Sequence, residues 1–385
     1  MHLLVSSPLD IPTLRSVLGL VPDDLGASVV GHGGHSVTEL VASLTPQVTQ
    51  LDLVTLDPGI DRPVTLRNGK IRAFVGPYRS RARTRALDLF AAERRFVAET
   101  VSRQRPDVVS AHWTYEYALG ALDAAAPTLI TIRDWAPAIL RYQPDRYRTV
   151  RLAMQMLCFR RGEHFAAVSP YMAKKAERAT RTTVTVLPNV LGGSWFQAPS
   201  ASLDGTRVIA ANNGFGRRKN VMALLRAWPE VLLAVPQAEL ILTGDGYGQG
   251  GPAAQWAASR GLAQGVTFAG PLPRPELQRL ISSGRVFVHP SREESFGMVV
   301  LEAMSLGLPV VGGASSGAVP WLLRDEAGIT VDVKDPRAIA GAIMSLLRDR
   351  SLADKIGARA RNDALQRFSA TAVSELYLRR LEELL

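Results

Sequence analysis

His289-Pro290-Ser291-Arg292-Glu293-Glu294-Ser295-Phe296-Gly297-Met298-Val299-Val300-Leu301-Glu302-Ala303-Met304 is the stretch whose reading decides the fold. An apolar run, Val286-Phe287-Val288, leads into it and reads as a strand. A polar loop holding Glu294 follows, and an apolar helix opens after it. Ser295 is the expected N-cap, which leaves the backbone N–H groups of Phe296, Gly297, Met298 and Val299 at the helix start as an anion site. Glu302 lies inside the apolar segment, where a carboxylate is costly unless it accepts hydrogen bonds. Vicinal hydroxyls, such as those of a ribose, would satisfy both oxygens. The plainer alternative makes Glu294 a solvated loop charge and pairs Glu302 with an arginine.

Outward from this segment the pattern repeats. Strands are expected at 2–7, 51–56, 71–75, 108–112, 128–133, 164–168 and 184–187, with helices at 35–44, 85–105, 115–126, 147–162 and 170–180. Gly, Pro and Ser dominate residues 192–206, which read as a linker. The alternation restarts with strands at 207–211, 239–243, 266–269, 285–289, 309–312 and 329–332. Helices are expected between them at 220–235, 252–260, 275–283, 297–306, 318–324 and 336–349, and the chain stays helical from 350 apart from a break at Phe368-Ser369. Strands alternating with helices of this length indicate mostly parallel sheets. The expected architecture is α/β: two Rossmann-like domains facing a cleft, residues 1–191 and 207–368, with a last helix in 369–385 crossing back to the N-terminal domain. Ligands in such sheets bind beyond the carboxyl ends of the strands.

The composition agrees. The chain has 385 residues, 46% hydrophobic and 21% charged, which suits a globular protein with two or three cores and excludes a disordered or disulfide-built one. Its single cysteine, Cys158, fits a reducing compartment. No apolar run is long enough to span a bilayer, and the start, Met1-His2-Leu3-Leu4-Val5, is too short for a signal-peptide core; a cytoplasmic location is expected. The net charge is +10, with 24 basic and 17 acidic residues in 1–190, so the excess sits mainly in the first half. Basic residues there are not interleaved with aromatics, which argues against nucleic acid as the partner.

The Glu294-to-Glu302 string resembles the Glu-x7-Glu motif of retaining glycosyltransferases of the GT-B family 4, and the similarity covers nearly the whole chain. Gly31-His32-Gly33-Gly34-His35-Ser36-Val37-Thr38-Glu39-Leu40 resembles the family's glycine loop and first long helix. Leu187-Pro188-Asn189 resembles its Pro-Asn element, Leu242-Thr243-Gly244-Asp245-Gly246 its Gly-Asp-Gly turn, Val266-Thr267-Phe268-Ala269-Gly270 the strand beside the nucleotide base, and Leu308-Pro309-Val310-Val311 the strand after the Glu-x7-Glu helix. The resemblance implies a glycosyltransferase that moves a hexose-type sugar from a nucleoside-diphosphate sugar, UDP- or GDP-linked, to an acceptor hydroxyl with retention of configuration. Such reactions serve glycolipid, polysaccharide or natural-product glycan synthesis. The C-terminal domain would hold the donor, and the N-terminal domain a glycan, lipid-linked or small-molecule acceptor.

Residue roles follow from the same resemblance. Glu294 would orient donor sugar hydroxyls and Glu302 the ribose. Gly33 and Gly34 would let backbone N–H groups approach the diphosphate. Gly216, Gly244, Asp245 and Leu272 would line the donor. In Asn212-Asn213-Gly214-Phe215-Gly216-Arg217-Arg218-Lys219-Asn220, Lys219 matches the family's lysine. Fixed cations there would meet the charge that grows on the departing diphosphate. The family's arginine sits five residues earlier, where this chain has Gly214, so Arg217 or Arg218, with Arg218 favoured, would supply the guanidinium. His112 resembles a family histidine close to the transferred sugar. Many members carry His-Asp where this chain has Arg133-Asp134; the change adds a permanent cation and suits an anionic acceptor, or else a structural Arg133–Asp134 pair.

Tyr78-Arg79-Ser80-Arg81-Ala82-Arg83-Thr84-Arg85, with Arg141, Arg146, Arg148, Arg151, Arg160 and Arg161, forms a basic region. It reads as a solvated face, as peripheral contact with an anionic membrane, which would place the protein at the membrane's inner face, or as the holder of a charged acceptor such as a lipid phosphate. No metal-ligating cluster is apparent and no cofactor is expected. The rivals are an epimerase of the same fold and a non-catalytic sugar-nucleotide-binding protein.

Overall fold

A computed structural model describes residues 1–23, 28–201 and 203–385. It divides into two compact units: Met1–Val190 with Ala370–Leu385, and Leu191–Ser369.

The first unit is built on one sheet. Its strands are β1 (His2–Ser6), β2 (Val21–Pro22), β3 (Gln50–Asp57), β4 (Val64–Asn68), β5 (Ile71–Pro77), β6 (Val108–His112), β7 (Thr128–Ile132), β8 (His164–Ala167) and β9 (Val184–Val186). Their order is β2-β4-β5-β3-β1-β6-β7-β8-β9. All pairings from β5 to β9 are parallel, and β1 is fully buried from Leu3 to Val5, as a strand covered on both faces must be. The antiparallel strand β4 and the two-residue β2 extend one edge beyond β5, which matches the strand expected at 71–75; β2 and β4 were not among the expected strands. Gly69, at φ +53°, makes the tight turn between β4 and β5.

The helix expected over 85–105 is two helices, Ala82–Leu87 and Ala91–Gln104. Leu89 and Phe90 between them are left-handed, at φ +52° and +59°, a conformation that no α-helix can contain. Helices Ile11–Leu18 and Ala136–Tyr142 were not expected; each starts with a proline in its first two positions.

The chain's last helix, Ala370–Glu382, packs Val373, Tyr377, Leu378 and Leu381 into the same core as Leu40 and Val41 of the His35–Leu44 helix. Leu385 is exposed, beyond the helix end.

The second unit holds β10 (Arg207–Ala211), β11 (Glu239–Thr243), β12 (Val266–Gly270), β13 (Val286–His289), β14 (Val310–Gly313) and β15 (Ile329–Val331). The order is β12-β11-β10-β13-β14-β15, and every pairing is parallel. Residues of the stretch read as a linker fold onto this unit: Gly193–Gln197 is helical, Trp195 and Leu203 are buried, and the Ala201 N–H donates to the Leu306 carbonyl at 2.8 Å. Composition missed the two apolar anchors among its small residues.

Both sheets have a switch point. Strand order reverses between β1 and β6 in one and between β10 and β13 in the other. Loops leaving the carboxyl ends of the two strands at such a point diverge and leave a crevice for a ligand. The strongest sequence motifs occupy these loops.

Candidate functional site

In the second unit the loops after β10 and β13 are tied together. Asn220, left-handed at φ +55° and N-cap of the Val221–Ala234 helix, donates from Nδ2 to the carbonyls of Pro290 at 3.0 Å and Val333 at 2.7 Å. Its Oδ1 accepts from Arg292 Nε at 3.0 Å, and the Arg292 N–H donates to the Arg218 carbonyl at 2.8 Å. This frame carries Lys219 and Glu294 to each other: Nζ lies 2.6 Å from Oε1. His289 Nε2 is 3.2 Å from the same oxygen, and Arg218 Nη1 is 3.8 Å from Oε2. Arg217 is exposed. Of the two arginines, Arg218 is therefore the one on the Glu294 side.

Burial opposes the charge of Glu294, but Lys219, the His289 hydrogen bond and Arg218 outweigh it and hold its pKa well below the usual carboxylate range. Glu294 is an ion in a cage of donors, not a solvated loop charge. Gly317 closes the cage from behind. It is left-handed at φ +67°, and a β-carbon there would lie 2.2 Å from the Glu294 carbonyl oxygen, so only glycine fits.

Glu302 is in the opposite state. It is 4% exposed, and burial raises its pKa to about 7 despite Arg274, whose Nη2 lies 3.2 Å from Oε1. Arg274 itself lies over the Trp195 ring at 5.6 Å.

The helix carrying Glu302 runs Met298–Ser305, and its N-cap is Gly297 at φ +104°, not Ser295. The left-handed turn at Gly297 delays the helix by two residues and places Met298 and Val299 in its first turn. Phe296 points into the core, edge-on to Trp321 and Phe368, so its backbone is the part available to a ligand.

The Gly-Asp-Gly turn is fastened to the loop after β10. Asp245 N–H donates to Asn213 Oδ1 at 3.2 Å, Gly214 N–H to the Asp245 carbonyl at 2.9 Å, and the Tyr247 hydroxyl to the Gly214 carbonyl at 3.0 Å. Gly244, at φ +113°, could not carry a β-carbon, which would sit 1.8 Å from the Asn212 carbonyl oxygen. Gly214, at φ +85°, is left-handed too, with open space where a side chain would stand. The missing family arginine thus coincides with a backbone conformation that disfavours one. Gly216 and Asp245 are exposed, and Leu272 is half-buried just past β12.

Gly33, Gly34, His112, Arg133 and Asp134 belong to the first unit. Gly33 and Gly34 are left-handed, at φ +73° and +85°, and Gly34 is the N-cap of the His35–Leu44 helix without a side-chain cap. A β-carbon on Gly34 would lie 2.0 Å from the Pro8 carbonyl oxygen, while Gly33 has open space.

The His112 ring is fully buried. Nε2 is 3.3 Å from Ser110 Oγ, and Nδ1 accepts from Arg133. Burial, helped by Arg133, drives its pKa well below the ordinary value. The ring is packed as a neutral base with both nitrogens engaged. Arg133 takes His112, Ser36 and Asn189 as partners, and Asp134 accepts the Tyr115 hydroxyl at 2.8 Å. The alternative of an Arg133–Asp134 structural pair is therefore set aside.

In the basic region, Arg79 pairs with Asp88 and Glu93, and Arg151 with Glu116 beneath Tyr115. Much of that charge is structural.

His289, Arg274, Asn220 and Gly317 were not singled out from sequence. His289 stood inside the quoted motif, but only its burial and its distance to Glu294 give it a role. Among the described residues, no group of three His, Cys, Asp or Glu is placed to hold a metal ion, and no helix is long and apolar enough to cross a membrane.

A family model described as Glycosyltransferase Family 4 matches residues 33–191, and one described as Glycosyl transferases group 1 matches residues 206–349. The lipopolysaccharide core biosynthesis glycosyltransferase LpsE of Rhizobium meliloti is 27% identical over 259 residues, 64% of this chain and 74% of that protein. The GDP-mannose-dependent alpha-(1-6)-phosphatidylinositol monomannoside mannosyltransferase of Mycolicibacterium smegmatis is 35% identical over 159 residues, 38% of this chain and only 40% of that protein. Among solved structures, Anabaena HepE in complex with UDP-glucose superposes with a TM-score of 0.70 at 18% identity, covering 100% of both chains.

Proposed function

The chain belongs to glycosyltransferase family 4, with the GT-B fold of two α/β units, and on that premise we propose that it transfers a hexose-type sugar from a nucleoside-diphosphate sugar to an acceptor hydroxyl with retention of configuration. The observation that carries this reading is the Lys219–Glu294 pair at the β10–β13 switch point, 2.6 Å apart and backed by His289 and Arg218.

The charge states suit the reaction. An ionised Glu294 accepts hydrogen bonds from donor sugar hydroxyls and orients the ring. Lys219 and Arg218 meet the charge that develops on the diphosphate as the glycosidic bond breaks, so they stabilise the transition state more than the ground state. Glu302 receives ribose hydroxyls. The Gly33-Gly34 turn and the first turn of the Met298–Ser305 helix offer backbone N–H groups to phosphate and sugar oxygens. The acceptor proton leaves with the departing phosphate oxygen, on the face from which the acceptor attacks.

A UDP- or a GDP-linked sugar is compatible with these residues: HepE is known with UDP-glucose, and the mycobacterial relative is GDP-mannose-dependent. Peripheral membrane contact through the N-terminal basic region, and a role in glycolipid or polysaccharide synthesis, belong to the same proposal.

The test is a thermal-shift panel of UDP-, GDP-, ADP- and dTDP-sugars, since a bound donor stabilises the folded state by mass action. The stabilising donor is then incubated with and without candidate acceptors. Release of nucleoside diphosphate that depends on the acceptor supports transfer. A changed sugar without any acceptor indicates an epimerase, and no turnover with tight binding indicates a binding protein; either outcome rejects the proposal.

A further inference from the structure

Two of the groups that hold Glu294 are wanted elsewhere in the reaction. Lys219 Nζ and His289 Nε2 converge on its Oε1, at 2.6 and 3.2 Å, and Arg218 Nη1 stands 3.8 Å from Oε2. Lys219 and Arg218 are also the cations that meet the departing diphosphate. Each charge sits at the end of a long flexible stem, and the Arg218 side chain is 31% exposed, so both are free to turn. His289 is not. Its ring is 1% exposed, and its backbone closes β13, in register with Gly312 of β14.

The protonation of the ring follows from its surroundings. Glu294 is ionised, so the hydrogen bond between the two needs a proton on Nε2. A second proton on Nδ1 would make a buried cation beside Lys219 and Arg218. Burial above all, and then those two cations, lower the His289 pKa even against the pull of Glu294. The imidazole is therefore neutral, with Nε2–H donating and Nδ1 bare.

That bare nitrogen shows what the residue is for. Among the described residues, no group bonds Nδ1, and a buried polar atom without a partner is a cost. Val286, Phe287 and Val288 before it are buried apolar residues, so this strand accepts side chains that carry no such cost. An apolar residue at 289 would lack one thing, the hydrogen bond that the ring donates to Glu294. Once a diphosphate draws Lys219 and Arg218 away, this bond is what still fixes a buried carboxylate.

We propose that His289 is a positioning residue: its Nε2–H holds Glu294 Oε1 in place for the hydroxyls of the donor sugar while Lys219 and Arg218 turn to the diphosphate. The assignment rests on the transferase reading above.

The experiment measures binding to the full chain by calorimetry. The probes are UDP-glucose, GDP-mannose, ADP-glucose and dTDP-glucose, each beside its free nucleoside diphosphate, which has no sugar for Glu294 to meet. Wild type is expected to bind one of these sugar nucleotides. His289→Leu should weaken that binding roughly ten- to a hundredfold, the worth of one hydrogen bond to a charged group, and leave the free nucleoside diphosphate unaffected. His289→Gln places an amide N–H where Nε2–H stood and should recover most of the loss. A melt of each variant checks that it is folded.

Nitrogen-15 NMR of histidine-labelled wild type keeps the proposal falsifiable if His289→Leu fails to fold. One imidazole, identified by its absence from His289→Gln, should stay in the neutral Nε2–H form from about pH 5.5 to 8.5. Its Nε2 signal should move when the sugar nucleotide is added. An Nδ1–H form, or an imidazolium within that window, overturns the proposal. So does a loss in His289→Leu that the free nucleoside diphosphate shares equally, no loss at all, or a His289→Gln as weak as His289→Leu. Wild type that binds none of the four sugar nucleotides would instead sink the transferase reading and take this proposal with it.

Discussion

Replacing Glu302 with glutamine should stabilise the second unit increasingly as the pH rises. Glu302 is buried, with one partner, Arg274 Nη2 at 3.2 Å, and burial raises its pKa to about 7 from the ordinary 4.5. The folded state therefore holds the proton more tightly than the unfolded chain does. Ionisation costs nothing below the unfolded value, costs progressively more between the two, and reaches its full cost above the folded value. The shift corresponds to about 3 kcal/mol, of which about 2 kcal/mol develops between pH 5.5 and 8.5. Glutamine has nearly the same shape and no charge to bury, so it escapes that cost.

The assay is urea unfolding of wild type and Glu302→Gln at several pH values across that window. Tryptophan fluorescence is a suitable signal, since Trp195, Trp228, Trp256 and Trp321 all lie in the second unit. The stability difference should widen with pH by about 2 kcal/mol. A difference that stays flat would refute the placement of Glu302 as a carboxylate starved of donors. The same logic sets the sign for a ligand. Ribose hydroxyls donate to the ionised form, so affinity for a sugar nucleotide, whose diester diphosphate keeps a constant charge across this window, should rise with pH through about 7 in wild type. In Glu302→Gln it should be weaker and insensitive to pH.

Lys219→Ala should lower turnover at saturating donor by ten- to a hundredfold, and by more than it weakens donor binding; adding Arg218→Ala should cost more, and full activity in the single variant would reject the leaving-group role. Glu294→Gln strands a lysine and an arginine around a neutral amide, and denaturant unfolding should register a loss of about 3–5 kcal/mol. Gly244→Ala forces a β-carbon against the Asn212 carbonyl oxygen at φ +113°, and its melting temperature should fall by several degrees. Leu381→Ala opens a hole where the last helix meets the first unit's core and should cost about 2–5 kcal/mol; an unchanged melt would mean that this helix is not docked there in solution.

The parallel strands were legible because a strand buried on both faces is written as an unbroken apolar run, as in Leu3-Leu4-Val5 and Val286-Phe287-Val288. Strand β4 was harder to see. The turn signal Asn68-Gly69 stood directly before the strand expected at 71–75, but Asp61, Arg62 and Arg67 give the preceding segment the character of a polar connection. The break at Leu89-Phe90 had no signal, since neither residue favours the left-handed region. It is held by what Phe90 packs on, namely Tyr78, Tyr147 and the guanidinium of Arg151, and those contacts come from distant parts of the chain. The linker reading failed in the same way: small residues were counted, and the burial of Trp195 and Leu203 was not visible in the count.

At the site, spacing and charge state separate. Glu294 and Glu302 are eight residues apart on one loop and helix, and the string located both. Nothing in the string distinguishes them chemically. The structure does, because one faces the loop after β10, where Lys219 and Arg218 wait, and the other faces a helix that offers only Arg274. Two carboxylates with the same solution chemistry are pushed in opposite directions, one far below the usual range and one up to about 7. A pair split in this way has divided its work. Glu294 is charged before any ligand arrives and is suited to orienting hydroxyls at the reacting sugar. Glu302 still lacks donors, and near neutral pH it ionises further when a ligand brings them. On this reading binding and deprotonation at Glu302 are coupled, which is why its pH dependence tests the donor subsite more directly than loss of activity would.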